Sequence, residues 1–363
     1  MAAETGTGPG AQPATEKREP GPDEILTARD LLGRGLNGIP VLIVLVVALS
    51  LATDSFLTLN NLDNLARQMS IYAIIAMGQL LVILTRGIDL SVGSVVGLSG
   101  VIAAITVFET SGGLPVVWAV VLALLVSAAV GAVNGLLVAV LKMPPFIVTL
   151  GFMGIARGLT LLLSGGRTVQ PLPEEFSAIA NGSILGITNL FWVTLVVLVV
   201  LSFALHRTVW GRYVYAVGSS PESARLAGVP VNAVQISVFT LSGLLAGVAG
   251  VLLASRLSNG VPTAGTSYEL DAIAACVIGG ASLFGARGTA LGAFLGALIV
   301  GILNNGGTLL GIDPFYLQIA IGALILVAVA MDQLQAIRAR NRPDPDPEQG
   351  PGADPPGAEA AAR

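Results

Sequence analysis

Charged side chains are scarce in this sequence: Asp, Glu, Lys and Arg make up 11% of its 363 residues, against 54% for hydrophobic residues. Soluble domains carry about 25% charged residues, so the composition argues strongly against a soluble enzyme. The few charges are also unevenly placed, because ten lie in residues 1–37 and ten in residues 332–363. The chain is therefore a hydrophobic body between two polar tails.

Cysteine, histidine and lysine are nearly absent, and each shortage excludes a kind of chemistry. Cys276 is the single cysteine and forms no internal disulfide, and His206 alone cannot build a multi-histidine metal site. The only lysines, Lys17 and Lys142, do not follow a glycine, so the phosphate-binding motif G-x-x-x-x-G-K-[ST] is missing. If ATP drives the protein, another chain hydrolyses it. The net charge of −4 comes largely from the tails and predicts no nucleic-acid partner.

The hydrophobic body is predicted to be an all-α, polytopic membrane bundle of about ten transmembrane helices. A membrane span needs about 20 apolar residues with few charges. Two candidate spans are interrupted by an ionisable residue, Arg157 in 145–163 and Asp271 in 270–283. The other eight are free of charge: 35–53, 68–85, 90–108, 110–141, 176–205, 226–255, 288–312 and 314–331.

The two ends of the chain are predicted to be disordered tails flanking a membrane domain at 38–332. Residues 1–37 are rich in Gly, Pro, Ala and charge, and residues 333–363 are acidic and Pro-rich. The first apolar run begins near Ile39, after several acidic residues, which is unlike a signal peptide. The first span is therefore expected to stay as a membrane anchor.

The distribution of basic residues predicts the orientation, since Lys and Arg favour the cytoplasmic side. With a cytoplasmic N-terminus and ten spans, Arg67, Arg167 and Arg256 fall outside and Arg157 falls within a span. Both termini are then predicted to be cytoplasmic. The fourteen basic residues that fall inside are Lys17, Arg18, Arg29, Arg34, Arg86, Lys142, Arg207, Arg212, Arg225, Arg287, Arg338, Arg340, Arg342 and Arg363.

Polar residues near the membrane interior are candidates for a translocation pathway or gate. Asp89 and Ser91, in Thr-Arg-Gly-Ile-Asp-Leu-Ser, can cap the helix that follows them. Two interpretations stay open: a capped hairpin in which Arg86 and Asp89 pair, or direct involvement in substrate passage. Asn134 likewise has two interpretations, an interhelical hydrogen bond or a ligand contact. Together with Thr149, these residues form the predicted pathway set.

A short helix is predicted in the loop at 206–229, because its two ends carry capping signals. Ser220 is an N-cap, Pro221 fits the first turn and Glu222 is an acid in that turn. Gly228 and Pro230 stop the helix, which is expected over 221–227. So short a helix needs a surface to pack on, either a partner protein or the membrane interface.

Glycines repeat every four residues after the candidate span at 270–283. Gly288, Gly292 and Gly296 form a small-residue face of the kind that packs helices closely. Glu269 and Asp271 lie at the predicted start of that span, where the helix dipole favours acids. The simplest interpretation of the region is packing and capping.

Five segments of the sequence carry a resemblance to a known family. They are GIDLSVGSVVGLSG (87–100), NGLLVAVLKMPPFIVTLGFMGIARGL (134–159), GRYVYAVGSSPESARLAGVPV (211–231), the Gly-rich run 262–305 and PFYLQIAIGALILVAV (314–329). Taken in this order, the chain from about Phe56 to Asp332 resembles the ribose/xylose/galactoside family of bacterial ABC sugar-importer permeases. Arg86 departs from the family pattern, where glycine or serine is common, and so does Ala286, where a second glycine is common.

The resemblance implies a non-catalytic permease subunit of the bacterial cytoplasmic membrane. It implies a homodimer, a cytoplasmic ABC ATPase that holds ATP and Mg²⁺, and an extracytoplasmic sugar-binding protein, with no cofactor on this chain. The substrate is expected to be a monosaccharide or related polyol, moved by alternating access. It also implies an ATPase-coupling helix formed by Ser220, Pro221, Glu222, Ser223, Ala224, Arg225, Leu226, Ala227 and Gly228.

Other functions stay open as alternatives. An ABC permease for nucleosides or branched-chain amino acids shares the broad architecture, although GIDLSVGS argues against it. An ion-coupled secondary transporter needs intramembrane carboxylates, and only Asp89 and Asp271 are near candidates. An intramembrane enzyme is disfavoured because His206 has no serine or carboxylate pairing pattern around it.

Overall fold

The computed structural model of the protein describes residues 38–108 and 114–340, so the predicted tail 1–37 and residues 341–363 lie outside the described residues. Within these ranges the chain forms thirteen α-helices and one short β-hairpin. The helices are α1 (Ile39–Ala52), α2 (Leu59–Leu84), α3 (Val92–Phe108), α4 (Val116–Ala139), α5 (Pro145–Ser164), α6 (Glu174–Asn181), α7 (Asn189–Arg207), α8 (Val209–Ser219), α9 (Pro221–Leu226), α10 (Val231–Leu257), α11 (Tyr268–Ile278), α12 (Ala290–Leu309) and α13 (Pro314–Arg340).

The hairpin corrects the all-α prediction in one place. Strands β1 (Ser183–Ile184) and β2 (Ile187–Thr188) pair antiparallel, joined by Leu185 and Gly186. Both joining residues have positive φ, +56° and +77°, as a two-residue hairpin turn requires. The uncharged stretch 176–205 is therefore the end of α6, the hairpin and most of α7, because turn geometry interrupts the run without any charge to reveal it.

Two further boundaries differ from the charge-based prediction. Helix α2 begins at Leu59, ahead of the predicted stretch 68–85, and includes Asp63 and Arg67. These two side chains form an ion pair with a separation of 2.7 Å, one helical turn apart, so their charges are compatible with helix. Helix α13 continues to Arg340, beyond the predicted end of the membrane domain at 332.

Six helices of the described ranges are long and apolar enough to cross a membrane: α2, α4, α5, α7, α10 and α12. Helices α1 and α3, and the first part of α13, are apolar but shorter. Helix α11 has eleven residues, about 16 Å at 1.5 Å per residue, roughly half of a 30 Å hydrocarbon core. The architecture is a polytopic helical bundle that includes the half-length helix α11.

The bundle is centred on α2, whose most apolar 18-residue window is 89% buried within the protein. Around α2 lie α7, α10, α11 and α12, and α10 also packs against α3 and α4. In contrast, the windows of α4, α5 and α7 are only 22–28% buried. Their apolar outer faces are suited to lipid, whereas α2 is enclosed by protein.

Helices α4 and α10 approach each other along a row of glycines, here called the α4–α10 glycine seam. A Cβ on Gly131 would overlap the carbonyl oxygen of Phe239, and one on Gly135 would lie 2.7 Å from the Ile236 Cα. From the other helix, a Cβ on Gly243 would lie 2.5 Å from the Ser127 carbonyl oxygen. Only glycine allows backbones to come this close.

The connections between helices lie on two opposite sides of the bundle. On the side here called the hairpin side, residues 165–188 meet residues 258–267 through two backbone bonds of 2.9 Å between Val169 and Gly260. On the other side, here called the coupling side, the Ala286 N–H donates to the Leu84 carbonyl at 3.0 Å. The coupling side comprises residues 85–91, 140–144, 208–230 and 279–289.

Candidate functional site

The short helix predicted on the coupling side is present as α9, and its caps are the predicted ones. The Ser220 hydroxyl accepts a hydrogen bond from the Ser223 N–H at 3.2 Å. The helix ends at Leu226, one residue before the expected end, and Gly228 follows with φ of +82°. The Val229 N–H donates to the Ala224 carbonyl at 2.9 Å and the Gly228 N–H to the Arg225 carbonyl at 3.0 Å, which is a complete Schellman motif.

Helix α9 buries one face and exposes another. Ala224 is buried, at 5% exposure, and faces the bundle. Glu222, Arg225 and Leu226 are exposed, and the Leu226 side chain keeps 91% of its surface. Within the described residues, helix α9 therefore presents an uncovered face that carries an acid, a base and an apolar side chain.

Arg86 connects the start of this segment to the end of α2. Its Nε donates to the Gly218 carbonyl at 2.6 Å, and its Nη2 donates to the Ser219 carbonyl. These carbonyls end α8 and lack helical partners, so a cation satisfies both them and the negative end of the helix dipole. The Arg86–Asp89 pair, which belonged to one of the two open interpretations, is not formed, because the guanidinium bonds to the end of α8 instead.

The Asp89 carboxylate is held by hydroxyl and amide donors. Asp89 is 1% exposed, and its Oδ1 accepts from the Ser91 N–H at 2.9 Å and the Ser91 hydroxyl at 2.6 Å. The Ser242 hydroxyl donates to Oδ2 at 3.1 Å. The Gln79 amide donates to the Asp89 carbonyl at 3.0 Å and accepts from its N–H at 3.2 Å. In the part of the chain that the structure describes, Asp89 has no ion-pair partner.

The predicted pathway residues come together around this carboxylate. Asn134 Nδ2 donates to the Ser91 hydroxyl at 3.0 Å, and the Thr149 hydroxyl donates to the Ile88 carbonyl at 3.1 Å. Asn134 is fully buried, and its Oδ1 has no hydrogen-bond partner. We call this group the Asp89 cluster; its members Gln79, Asp89, Ser91, Asn134, Thr149 and Ser242 are all at most 2% exposed.

Two members of the Asp89 cluster were missed by the sequence analysis. Gln79 lies within the predicted span 68–85 and Ser242 within 226–255, each among apolar neighbours. A polar side chain in an apolar run is itself a signal for an interhelical hydrogen bond. That signal indicates a bond without naming its partner, because the partners are far apart in the chain.

A second contact connects α8 to the segment at 279–289. The Tyr215 hydroxyl donates to the Gly288 carbonyl at 2.9 Å. Burial raises the pKa of Tyr215 to about 12, so the phenol stays protonated and remains a donor at neutral pH.

Residues 38–108 and 114–340 hold no cluster of His, Cys, Asp and Glu that could bind a metal ion.

The fold and the short helix α9 define a polytopic helical membrane protein with one capped helix exposed on its coupling side. The chain belongs to the family described as branched-chain amino acid transport system / permease component, which matches residues 61–329. Members of this family are translocation subunits of ABC transporters. The protein is accordingly a multi-pass membrane protein, and the predicted resemblance to sugar-importer permeases is confirmed.

Several relatives match most of the chain. The ribose import permease protein RbsC of Escherichia coli K12 is 44% identical over 295 residues, which covers 80% of this chain and 91% of that protein. The fructose import permease protein FrcC of Rhizobium meliloti is 43% identical, covering 80% and 84%. The L-arabinose ABC transporter permease protein AraH of Azospirillum brasilense is 40% identical, covering 81% and 86%. No solved structure matches the chain.

Proposed function

We propose that this chain is the translocation subunit of an ATP-driven importer for a monosaccharide or related polyol. Relatives that match 80% or more of the chain are named as permeases for ribose, fructose, arabinose and allose. ATP and Mg²⁺ are held by a separate ABC ATPase, a sugar-binding protein delivers the solute, and two copies of this chain form the pore. The observation that carries the proposal is α9, a capped helix with an exposed Leu226.

The coupling side is assigned to the cytoplasm. Among described residues it carries Arg86, Lys142, Arg207, Arg212, Arg225 and Arg287, whereas the hairpin side carries Arg67, Arg167 and Arg256. With α11 counted as a crossing, the bundle has ten spans and both termini are cytoplasmic. Labelling of cysteines introduced at Arg167 and Arg212 tests this assignment. Modification of both by the same impermeant reagent from outside the cell would contradict it.

In this mechanism the motion of the ATPase reaches the membrane through α8 and α9. A docked α9 carries Gly218 and Ser219 with it, and Arg86 passes the displacement to the segment that bears Asp89. The Asp89 cluster joins that segment to α2, α4, α5 and α10. A change in its hydrogen bonds therefore alters four helices together, which suits a gate of alternating access.

Reconstitution of the chain with its ATPase and binding protein tests the proposed function. We expect uptake of at least one of ribose, fructose, arabinose and allose, and no ATP hydrolysis by the permease alone. Uptake of leucine in place of every sugar would contradict the sugar assignment and favour the branched-chain alternative. Robust hydrolysis by the isolated permease would contradict its non-catalytic role.

A charge reversal on α9 tests the coupling assignment. Arg225→Glu is expected to weaken co-purification of the ATPase or to uncouple hydrolysis from uptake, with the permease still in the membrane. Arg167→Glu, the same change on an exposed residue of the hairpin side, is the matched control for ATPase association. Normal complex yield and normal uptake in Arg225→Glu would show that α9 is not the coupling element.

A further inference from the structure

A polar cavity of about 220 Å³ lies between α2, α11, α12 and α13. It adjoins residues 266 and 267, so it lies at the hairpin side, opposite α9. It is separate from the Asp89 cluster, whose residues do not line it. The polar groups of its lining belong to Tyr72, Ser267, Tyr268, Asp271, Asn304 and Gln318.

Two of these polar side chains, Asp271 and Asn304, are left available by the described part of the protein. In the described ranges, no side chain donates a hydrogen bond to the Asp271 carboxylate, and the Asn304 carboxamide has no protein partner. The Gln318 amide makes one long bond, 3.3 Å, to the Ser267 hydroxyl. Asp271 and Asn304 are partly shielded from solvent. A polar ligand can satisfy the unused hydrogen-bonding capacity of such half-buried groups.

The chemistry of the lining selects a neutral ligand rich in hydroxyl groups. A carboxylate accepts from two hydroxyls, and carboxamides both donate and accept. Tyr72 and Tyr268 meet edge to face, with ring centroids 5.1 Å apart at 65°, and supply apolar ring surface for C–H groups. Among the described residues, no lysine, arginine or histidine lines the cavity, so a phosphorylated or acidic solute would meet Asp271 without a counter-charge from the lining.

The position of the cavity also fits a ligand in transit. Interrupted or unusually short helices mark solute sites in transporters, because their ends place backbone groups inside the membrane. Helix α11 is such a helix, and Tyr268, Asp271 and the preceding Ser267 all belong to its start. The cavity thus lies beside the half-length helix α11.

We propose that this cavity is a binding site for the transported monosaccharide within the permease itself, on the side where the sugar enters. Asp271, Asn304 and Gln318 bind its hydroxyls, and the two tyrosines contact its carbon face. The permease then contributes to specificity after the binding protein has released the sugar. This inference rests on the proposed function and names the site at which that function is exercised.

Site-directed labelling tests occupancy without depending on transport. The chain's single cysteine, Cys276, is fully buried, so Thr266→Cys and Gly322→Cys each introduce one reactive thiol beside the cavity and leave the proposed sugar-binding side chains in place. The permease alone, in proteoliposomes, is treated with a polar maleimide with or without millimolar ribose, fructose, arabinose or allose, and with leucine as the control solute. Asp54→Cys, exposed on the same side but outside the cavity, is the matched control position.

We expect a sugar that the complex transports to slow labelling at 266 and 322 at least about threefold, and to leave position 54 unchanged. Equal labelling rates with and without that sugar at both cavity positions would overturn the site. Failure of the proposed function is a distinct result, since the unmodified complex would then transport none of the four sugars.

Transport by Asp271→Asn provides an independent test. The change keeps the shape and removes one acceptor and the charge, so we expect uptake to fall at least about tenfold, with altered relative rates for the four sugars. ATPase stimulation by the loaded binding protein should persist. Asp54→Asn is the matched control, and Gln318→Ala is a second variant that leaves α11 untouched. Unchanged rates and sugar preference in both cavity variants would overturn the proposal.

Discussion

The guanidinium of Arg86 donates a hydrogen bond to the carbonyl oxygen of Gly218 across 132 positions of sequence. Gly218 is packed so closely on the end of α2 that a Cβ there would overlap the Leu84 carbonyl oxygen. The hydrogen bonds of Arg86 and the absence of a side chain on Gly218 therefore stabilise the same contact between the end of α2 and the end of α8. Together they join the helix that precedes α9 to the segment that bears Asp89.

Replacement of Arg86 by alanine is expected to loosen this junction without unfolding the bundle, because Arg86 is exposed and on a loop. A hydrogen bond to a charged group contributes about 1.5–3 kcal/mol. At the lower end, loss of this contact corresponds to roughly a tenfold shift between coupled and uncoupled arrangements. We expect sugar uptake per ATP hydrolysed to fall by about that factor in reconstituted vesicles.

Two further variants separate geometry from charge at this junction. Arg86→Lys keeps the charge but lacks the planar fork that reaches both carbonyls, so it should fall between the wild type and Arg86→Ala. Lys142→Ala removes another coupling-side cation, whose Nζ donates a hydrogen bond to Asn232 at 2.9 Å. We expect this variant to keep the wild-type ratio of sugar uptake to ATP hydrolysis. Wild-type coupling in Arg86→Ala would rule out the junction as a transmission element.

Substitutions of Gly228, which caps α9, are expected to act through the backbone conformation alone. A Cβ at this position meets nothing within 4 Å, so substitution acts only through its φ of +82°. A left-handed conformation costs an ordinary residue about 1–2 kcal/mol, with more for a β-branched one and less for asparagine. Gly228→Val should therefore weaken ATPase association measurably, and Gly228→Asn should largely retain it.

The measurement for this pair is the yield of permease–ATPase complex at equal permease level in the membrane. Equal yields for the valine and asparagine variants would indicate that the left-handed cap does not position α9.

The Asp89 carboxylate is expected to be a structural requirement. In Asp89→Asn, one of the two oxygens that accept from Ser91 and Ser242 becomes an amide donor, which faces hydroxyl groups in a fully buried position. Leaving buried groups unpaired costs about 1–3 kcal/mol each. We expect a clear fall in the thermal unfolding midpoint of the detergent-solubilised protein.

Ser242→Ala is the milder partner of this variant, because it removes one donor from a carboxylate that keeps two others. Its midpoint should lie between those of the wild type and Asp89→Asn. An Asp89→Asn midpoint equal to that of the wild type would mean that the carboxylate is not needed for stability.

Alanine substitutions are expected to distinguish glycines at close helix contacts from glycines with free space around them. A Cβ on Gly296 would overlap the Ala275 carbonyl oxygen, so Gly296→Ala must push α11 and α12 apart. Gly151, in α5, has nothing within 4 Å of its Cβ position, and alanine is favoured over glycine in a helix by about 1 kcal/mol. Thermal unfolding should show a lower midpoint for Gly296→Ala and an unchanged or higher one for Gly151→Ala; the reverse order would contradict the packing described.

Features encoded by neighbouring residues could be predicted from the sequence. The caps of α9 depend on Ser220, Pro221 and Gly228, all within nine positions, and the structure has them as expected. The four-residue glycine spacing likewise predicted a close helix contact, and Gly292 and Gly296 make it with α11. Such signals are local, so no knowledge of the fold is needed to interpret them.

Features that depend on distant partners could not be predicted in this way. One interpretation of the sequence paired Arg86 with Asp89, but Arg86 bonds instead to carbonyls at 218 and 219. The polar cavity brings Tyr72 together with Gln318, which only the arrangement of helices can do. The break between α6 and α7 was hidden because a turn of Leu185 and Gly186 carries no charge.

The α4–α10 glycine seam has a mechanical consequence. Backbones in direct contact leave no flexible side chains between the two helices to absorb a displacement, so α4 and α10 must turn as one stiff body. Helix α10 begins at Val231, three residues after Gly228. In the proposed coupling mechanism, a push on α9 is therefore applied near one end of a two-helix lever whose far end, at Ser255, contacts α6.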